Sequence, residues 1–218
     1  MVLWVGLDFG EKYLKDYKER IIKNLEKIPE DDLVEPSIKI IGPAIESSKY
    51  YIEDDYCREM FAKLIASSCN TKLNNYTHPC FIEIIKELST SDAKFLLIFL
   101  DNNTYPMVEL EEYHNNGIVT PFLLSIIDFK NNDNSFEIEE KLKNSKILDN
   151  LLRLRLIRKN SSVLELNYDY NNFKNHPFYK ACESTIESDS KIIIKKYRLE
   201  LTELGKDFVA CCIPKNDF

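Results

Sequence analysis

The sequence predicts an α+β protein, mostly helical, with an N-terminal helical part packed on a C-terminal winged-helix-like part that carries an insert and an enlarged wing. Three observations predict it. Apolar residues recur at three- and four-residue steps through the first hundred positions. Apolar stretches on either side of the turn-forming Asn115-Asn116-Gly117 suit two strands, and Ile192 to Leu201 alternates apolar and charged residues. Near the C-terminus, a helix ending in Leu-Ile is followed by strand, connection, strand and a final helix, the order of winged-helix modules. The expected boundaries are a helical region over 1–88 and a winged-helix-like region over 89–218, with the insert at 102–133.

Element by element, Leu14, Tyr17, Ile21, Leu25 and Ile28 line one face, with Lys15, Glu19 and Lys23 between them, which predicts an amphipathic helix ended by Pro29. Pro36 to Gly42 reads as extended, and Pro43, whose fixed φ suits a first helical turn, opens a second helix running to Tyr51. Asp54 caps a third, in which Met60, Leu64 and Ser67 alternate with Phe61, Ile65 and Ser68 to give a wide apolar face. Thr77 is the expected cap of a fourth, with Pro79 in its first turn and Phe81, Ile82, Ile84, Ile85 and Leu88 behind. Ser89 and Asp92 have capping-box spacing before Ala93 to Leu100.

Met107, Val108 and Leu110 lead to Asn115-Asn116-Gly117 and then to Ile118–Phe129, which favours a hairpin over a strand and a buried helix. Phe136 to Ile157 return to helical spacing, with Leu148, Leu151, Leu152 and Leu156 sharing a face. Val163, Leu164 and Leu166 predict a short strand, and Ile192 to Leu201 a second, with a small helix over Pro177–Ser188 between them. Thr202 is the expected cap of a last helix, which Pro214 stops.

Composition narrows the chemistry. Only five glycines occur in 218 residues, and neither G-x-G-x-x-G nor G-x-x-x-x-G-K-[ST] is present, so phosphate-cradling loops of those kinds are excluded. The six cysteines show no C-x-x-C, and no two of the three histidines have metal-ligand spacing on a helix; neither a metal nor a cofactor is expected. Their irregular spacing fits a reduced, cytoplasmic setting. Met1 to Phe9 lacks a basic leader and a small-residue cleavage site, and no window reaches the roughly 20 apolar residues that span a bilayer.

His78, beside Cys80 and Glu83, is the weak catalytic candidate, since the three types together could serve acid-base or Cys-His chemistry. At a helix start, capping is the stronger reading, because helix geometry turns Cys80 and Glu83 in different directions. The Asp8-Phe9-Gly10 tripeptide lacks every other part of a kinase signature. The acidic runs Glu30–Asp32 and Glu109–Glu112 read as solvated charge rather than cation ligands.

Charge is uneven. The chain carries a formal −7, but residues 1–142 hold 15 basic against 26 acidic side chains, while 143–206 hold 13 against 8. Arg153, Arg155, Arg158, Lys159, Lys195, Lys196 and Arg198 are expected to form one exposed binding patch where a helix end adjoins a wing strand. The overall negative charge favours a protein partner or self-association over nucleic acid.

Three segments, Asp54–Asn70 (DDYCREMFAKLIASSCN), His78–Leu96 (HPCFIEIIKELSTSDAKFL) and Leu199–Cys212 (LELTELGKDFVACC), together resemble the Abi-alpha family of bacterial proteins, named for abortive infection. The likeness extends to Gly42–Tyr51 and Ile147–Lys159. It implies a phage-defence setting and carries over no catalytic residue. Cys57, Cys69 and Cys80 stand where the family pattern favours aliphatic or small residues, which argues against those thiols acting together. The expected function is a noncatalytic abortive-infection component acting through protein or nucleic-acid contacts; the alternatives are a toxic effector with an unrecognised hydrolytic site, or a winged-helix DNA-binding regulator.

Overall fold

The computed structural model describes residues 2–100, 102–128 and 138–214. In chain order the elements are α1 (Val2–Leu25), α2 (Ile38–Ser48), α3 (Asp55–Ser68), α4 (Cys80–Glu87), α5 (Thr90–Leu96), β1 (Thr104–Tyr113), β2 (Val119–Ile127), α6 (Ile138–Arg153), β3 (Ile157–Asn160), α7 (Pro177–Thr185), β4 (Lys191–Leu201) and α8 (Glu203–Cys212). The fold is α+β with an antiparallel sheet, and the chain divides into two compact units, Met1–Leu100 with Glu203–Phe218, and Asp101–Thr202.

In the first unit α3 is the central helix. Ten of its 14 residues are buried, so its apolar surface runs nearly all round. Asp54 starts it as expected, its carboxylate accepting from the Cys57 amide at 2.9 Å. Small residues, Ala62, Ala66, Ser67 and Ser68, let neighbours approach, and α1, α2, α4, α5 and α8 all pack on it. Phe81 of α4 meets Phe208 of α8 edge to face, with ring centroids 5.3 Å apart. Lys63 and Ser67, one turn apart on α3, donate to the last carbonyls of α8: Lys63 to Val209 and Ile213, Ser67 to Cys211 at 3.0 Å.

Charge fastens α1 to α3. Arg20 bridges Asp16 (2.8 Å), Asp55 (2.7 Å) and Glu59 (3.2 Å), and the buried Arg58 meets Asp16 (3.0 Å) and Asp55 (2.5 Å). The Tyr13 ring lies 4.9 Å from the Arg58 guanidinium carbon.

Two expectations in this unit need correction. The extended stretch at Pro36–Gly42 is helical from Ile38, because Ser37 caps it by accepting from the Lys39 amide, and Pro43 lies inside α2 rather than at its start. The buried stripe Ile40, Ala44 and Ser48 outweighs the missing proline N–H. Thr77 does not cap α4; its hydroxyl donates to the Asn74 carbonyl, and His78 takes the cap. The capping box of Ser89 and Asp92 is present.

The second unit is built on a four-stranded sheet of order β2-β1-β4-β3. The predicted hairpin forms, with Gly117 at φ +84 in the turn and a register shift between Glu109 and Leu110. The segment expected as an insert supplies one of the sheet's two inner strands: β1 pairs with β4 from Thr104↔Glu200 to Tyr113↔Lys191. β3 pairs with the other end of β4, from Ile157↔Leu201 to Asn160↔Arg198.

Alternation along the strands divides the sheet. On one face Val108, Leu110 and Ile126 are covered by Tyr170, Phe173, Tyr179 and Cys182, from the 3-10 turn Tyr170–Asn175 and α7. α6 packs against β2 and β3, with Leu148, Leu151, Leu156 and Ile157 buried. The strand expected at Val163–Leu166 is absent. Asn160 Oδ1 accepts from the amides of Ser162 and Val163, each at 3.0 Å, which turns the chain off the sheet, and Leu166 is exposed. The helix expected from Phe136 begins among the described residues at Ile138, and position 136 itself lies outside them.

No helix in the described residues is long and apolar enough to cross a membrane.

Candidate functional site

His78 is exposed at the start of α4, where its Nδ1 accepts from the Cys80 amide at 3.1 Å. His176 repeats the device at the start of α7, its Nδ1 accepting from the Phe178 amide at 3.2 Å. Both are followed by proline, His78-Pro79 and His176-Pro177. The ring supplies the acceptor that an orphan helix-start amide needs, and the proline sits where an amide would have no partner. Cys80, the residue that made His78 a catalytic candidate, has its thiol pushed up by burial, away from the thiolate.

His114 was not singled out by sequence spacing, because the hairpin and not a helix assembles its surroundings. Its Nε2 lies 3.1 Å from the Thr120 hydroxyl across the β1–β2 turn, and its Nδ1 lies 3.2 Å from the Ser190 hydroxyl and 3.7 Å from a Glu112 carboxylate oxygen. Glu112 also accepts from the Glu187 amide at 3.4 Å. A hydroxyl, an imidazole and a carboxylate therefore meet at one end of the sheet, the set of types that activates a hydroxyl nucleophile.

The seven basic residues do not share one face. On β4 and β3, strand alternation puts Lys195 and Lys159 on one side of the sheet and Lys196, Arg198 and Arg158 on the other. Most are already met by acid. Lys195 pairs with Glu111 and Lys159 with Glu109, both at 2.6 Å across the sheet. Arg158 (2.6 Å) and Arg198 (2.5 Å) both bind Glu200, whose carboxylate also accepts from Asn160. Burial pushes the Glu200 carboxyl up, but the bonds from Asn160, Arg158 and Arg198 outweigh it and hold the group below the usual range. Lys196 lies over the Tyr170 ring, 5.9 Å from its centroid. The Glu109–Glu112 run, read from sequence as solvated charge, is the source of much of this neutralisation.

Arg153 and Arg155, at the end of α6, are exposed. Arg153 bonds Asn150 Oδ1 one turn back at 2.8 Å. Arg155 is in the left-handed region, φ +55, and no side-chain partner is found for it among the described residues. The groups of His, Cys, Asp and Glu among the described residues form no cluster that could hold a metal ion.

Comparison with known proteins found no match among curated proteins or solved structures. The family model described as Abortive infection alpha does match, over residues 10–212. That span runs from within α1 to the last residue of α8 and takes in both units; the chain belongs to the abortive infection alpha family.

Proposed function

We propose that the protein is a noncatalytic component of abortive infection, the shutdown of phage-infected cells, and that it acts in the cytoplasm through contact with another protein or a second copy of itself. One observation carries the choice of protein over nucleic acid. Four of the five strand-borne bases that would have to grip a phosphate backbone, Arg158, Lys159, Lys195 and Arg198, are met inside their own unit by Glu109, Glu111 and Glu200, and the fifth, Lys196, lies over the Tyr170 ring. Duplex binding draws its affinity from several unpaired cations acting together, and a chain of net charge −7 works against it. The order of α6, β3 and β4 supports a winged-helix-like reading of this unit, with β1 and β2 as its elaboration. Titration of fluorescein-labelled duplex DNA and single-stranded RNA at low and moderate salt tests this. Negligible binding at both is expected. Binding that falls steeply with salt would move the assignment to a DNA-binding regulator.

A second reading, a toxic effector with a hydrolytic site, has one specific observation in its favour: the His114–Thr120–Glu112 arrangement. Its test is a His114→Ala variant, which on this reading is folded and nontoxic, and on the first reading behaves as the parent protein does.

A further inference from the structure

The end of α6 is closed by a pair of bonds that define one kind of helix stop. The Leu156 amide donates to the Leu151 carbonyl and the Arg155 amide to the Leu152 carbonyl, each at 3.0 Å, with Leu151 and Leu156 both fully buried. This is a Schellman motif, and the residue it forces into the left-handed region is Arg155. Glycine takes that position without strain, and asparagine tolerates it, as Asn167 does at φ +59. Arginine is strained there, and nothing in the fold uses its side chain: it is exposed and finds no partner among the described residues, whereas Arg158, Lys159, Lys195 and Arg198 are all ion-paired.

We propose that Arg155 is the anchor of an interaction surface at the C-terminal end of α6 and that its ligand is a carboxylate on a partner protein. The inference rests on the protein-contact reading above and names the contact. A backbone conformation held at a cost, at a residue whose side chain does nothing for the fold, points to a use outside the fold. A single guanidinium is a poor grip on nucleic acid, which needs several cations, but a good anchor in a protein interface, where one arginine fork meeting one carboxylate often dominates the binding. Arg153, two residues earlier and also exposed, adds positive charge to the same helix end.

The test uses the purified full chain, a fluorescein-labelled decamer of glutamate as the carboxylate probe, and a labelled duplex DNA. Arg155→Gly is expected to raise the melting temperature by about 2 to 4 °C, through relief of strain, and to weaken binding of the glutamate probe at least tenfold. Arg155→Lys keeps the charge without the fork and is expected to fall between. Equal probe binding by parent and Arg155→Gly, or no saturable binding by the parent, overturns the proposal. Arg155-dependent binding of DNA in preference to the glutamate probe also overturns it, in favour of a phosphate ligand. If the probe result holds and the parent gives no protection against phage, the contact stands and the defence reading fails.

Discussion

At the scale of single residues, the two His-Pro helix starts give His78 a structural role with a measurable size. His78→Ala leaves the Cys80 amide without its acceptor and is expected to cost about 1 kcal/mol of stability, while His78→Asn, whose side chain can accept the same bond, recovers most of it. Activity per folded molecule should be unchanged in both; a variant that keeps its melting temperature and loses protection would return His78 to the catalytic candidates. The thiols give a second expectation. Burial pushes Cys57, aided by the nearby Asp54 charge, and Cys211 from the ordinary 9.0 up to about 12. Between those values the unfolded chain releases thiol protons that the folded chain still holds, so stability must fall as pH rises from 9 toward 12. Cys57→Ala should flatten that slope in denaturant titrations, and an unchanged slope would mean the thiol is not shielded as described. What residue reading made legible was the capping chemistry at Asp54 and at Ser89 with Asp92, because those bonds are local and their spacing is fixed by helix geometry. It did not reveal the His114 cluster, whose members, Glu112, Thr120 and Ser190, are brought together by strand pairing and by the approach to β4.

At the scale of elements, β4 holds the second unit together, pairing with β1 along its whole length and with β3 at one end. Its charges follow from that position. Glu200 is buried, and it satisfies Arg158, Arg198 and Asn160 at once. Glu200→Gln removes a charged acceptor from both arginines and is expected to cost about 1 to 3 kcal/mol. Because the folded carboxyl titrates below its unfolded value, its contribution is present above the unfolded pKa and is lost as pH falls through the folded one. The variant should therefore also show a shallower loss of stability on the acid side, seen as converging melting temperatures of parent and variant as the buffer is acidified. The misread elements have local causes too. Pro43 lies inside α2 although its fixed φ favours a first turn, because the joint burial of Ile40, Ala44 and Ser48 is not visible in the sequence. Val163, Leu164 and Leu166 have strand-like spacing but form no strand, because the Asn160 side chain binds the amides two and three residues on and turns the chain away.

At the scale of the whole molecule, the sequence carried the α+β class, the order of helices and the hairpin, all of which rest on short-range periodicity. It could not tell that α8 shares a unit with the first five helices, since α8's carbonyls are capped from α3, by Lys63 and Ser67, across more than 140 positions. Nor could it tell that a run of acids at 109–112 lies beside the bases of β4, a cross-strand relation that needs the register. That register changes the functional picture. Of the seven bases expected to form one patch, Arg158, Lys159, Lys195 and Arg198 are ion-paired within their own unit and Lys196 lies over the Tyr170 ring, while Arg153 and Arg155 stand exposed at the end of α6; on the function proposed above, that pattern in an acidic molecule suits a protein ligand. The most direct measurement is the plating efficiency of phage on bacteria that express the parent protein, His78→Ala or the Arg153→Glu/Arg155→Glu double variant, with folded amounts matched by soluble yield and melting temperature. Reduced plating is expected with the parent and with His78→Ala, and restored plating with the double variant. Full protection by the double variant, with protection lost in His78→Ala, would contradict it.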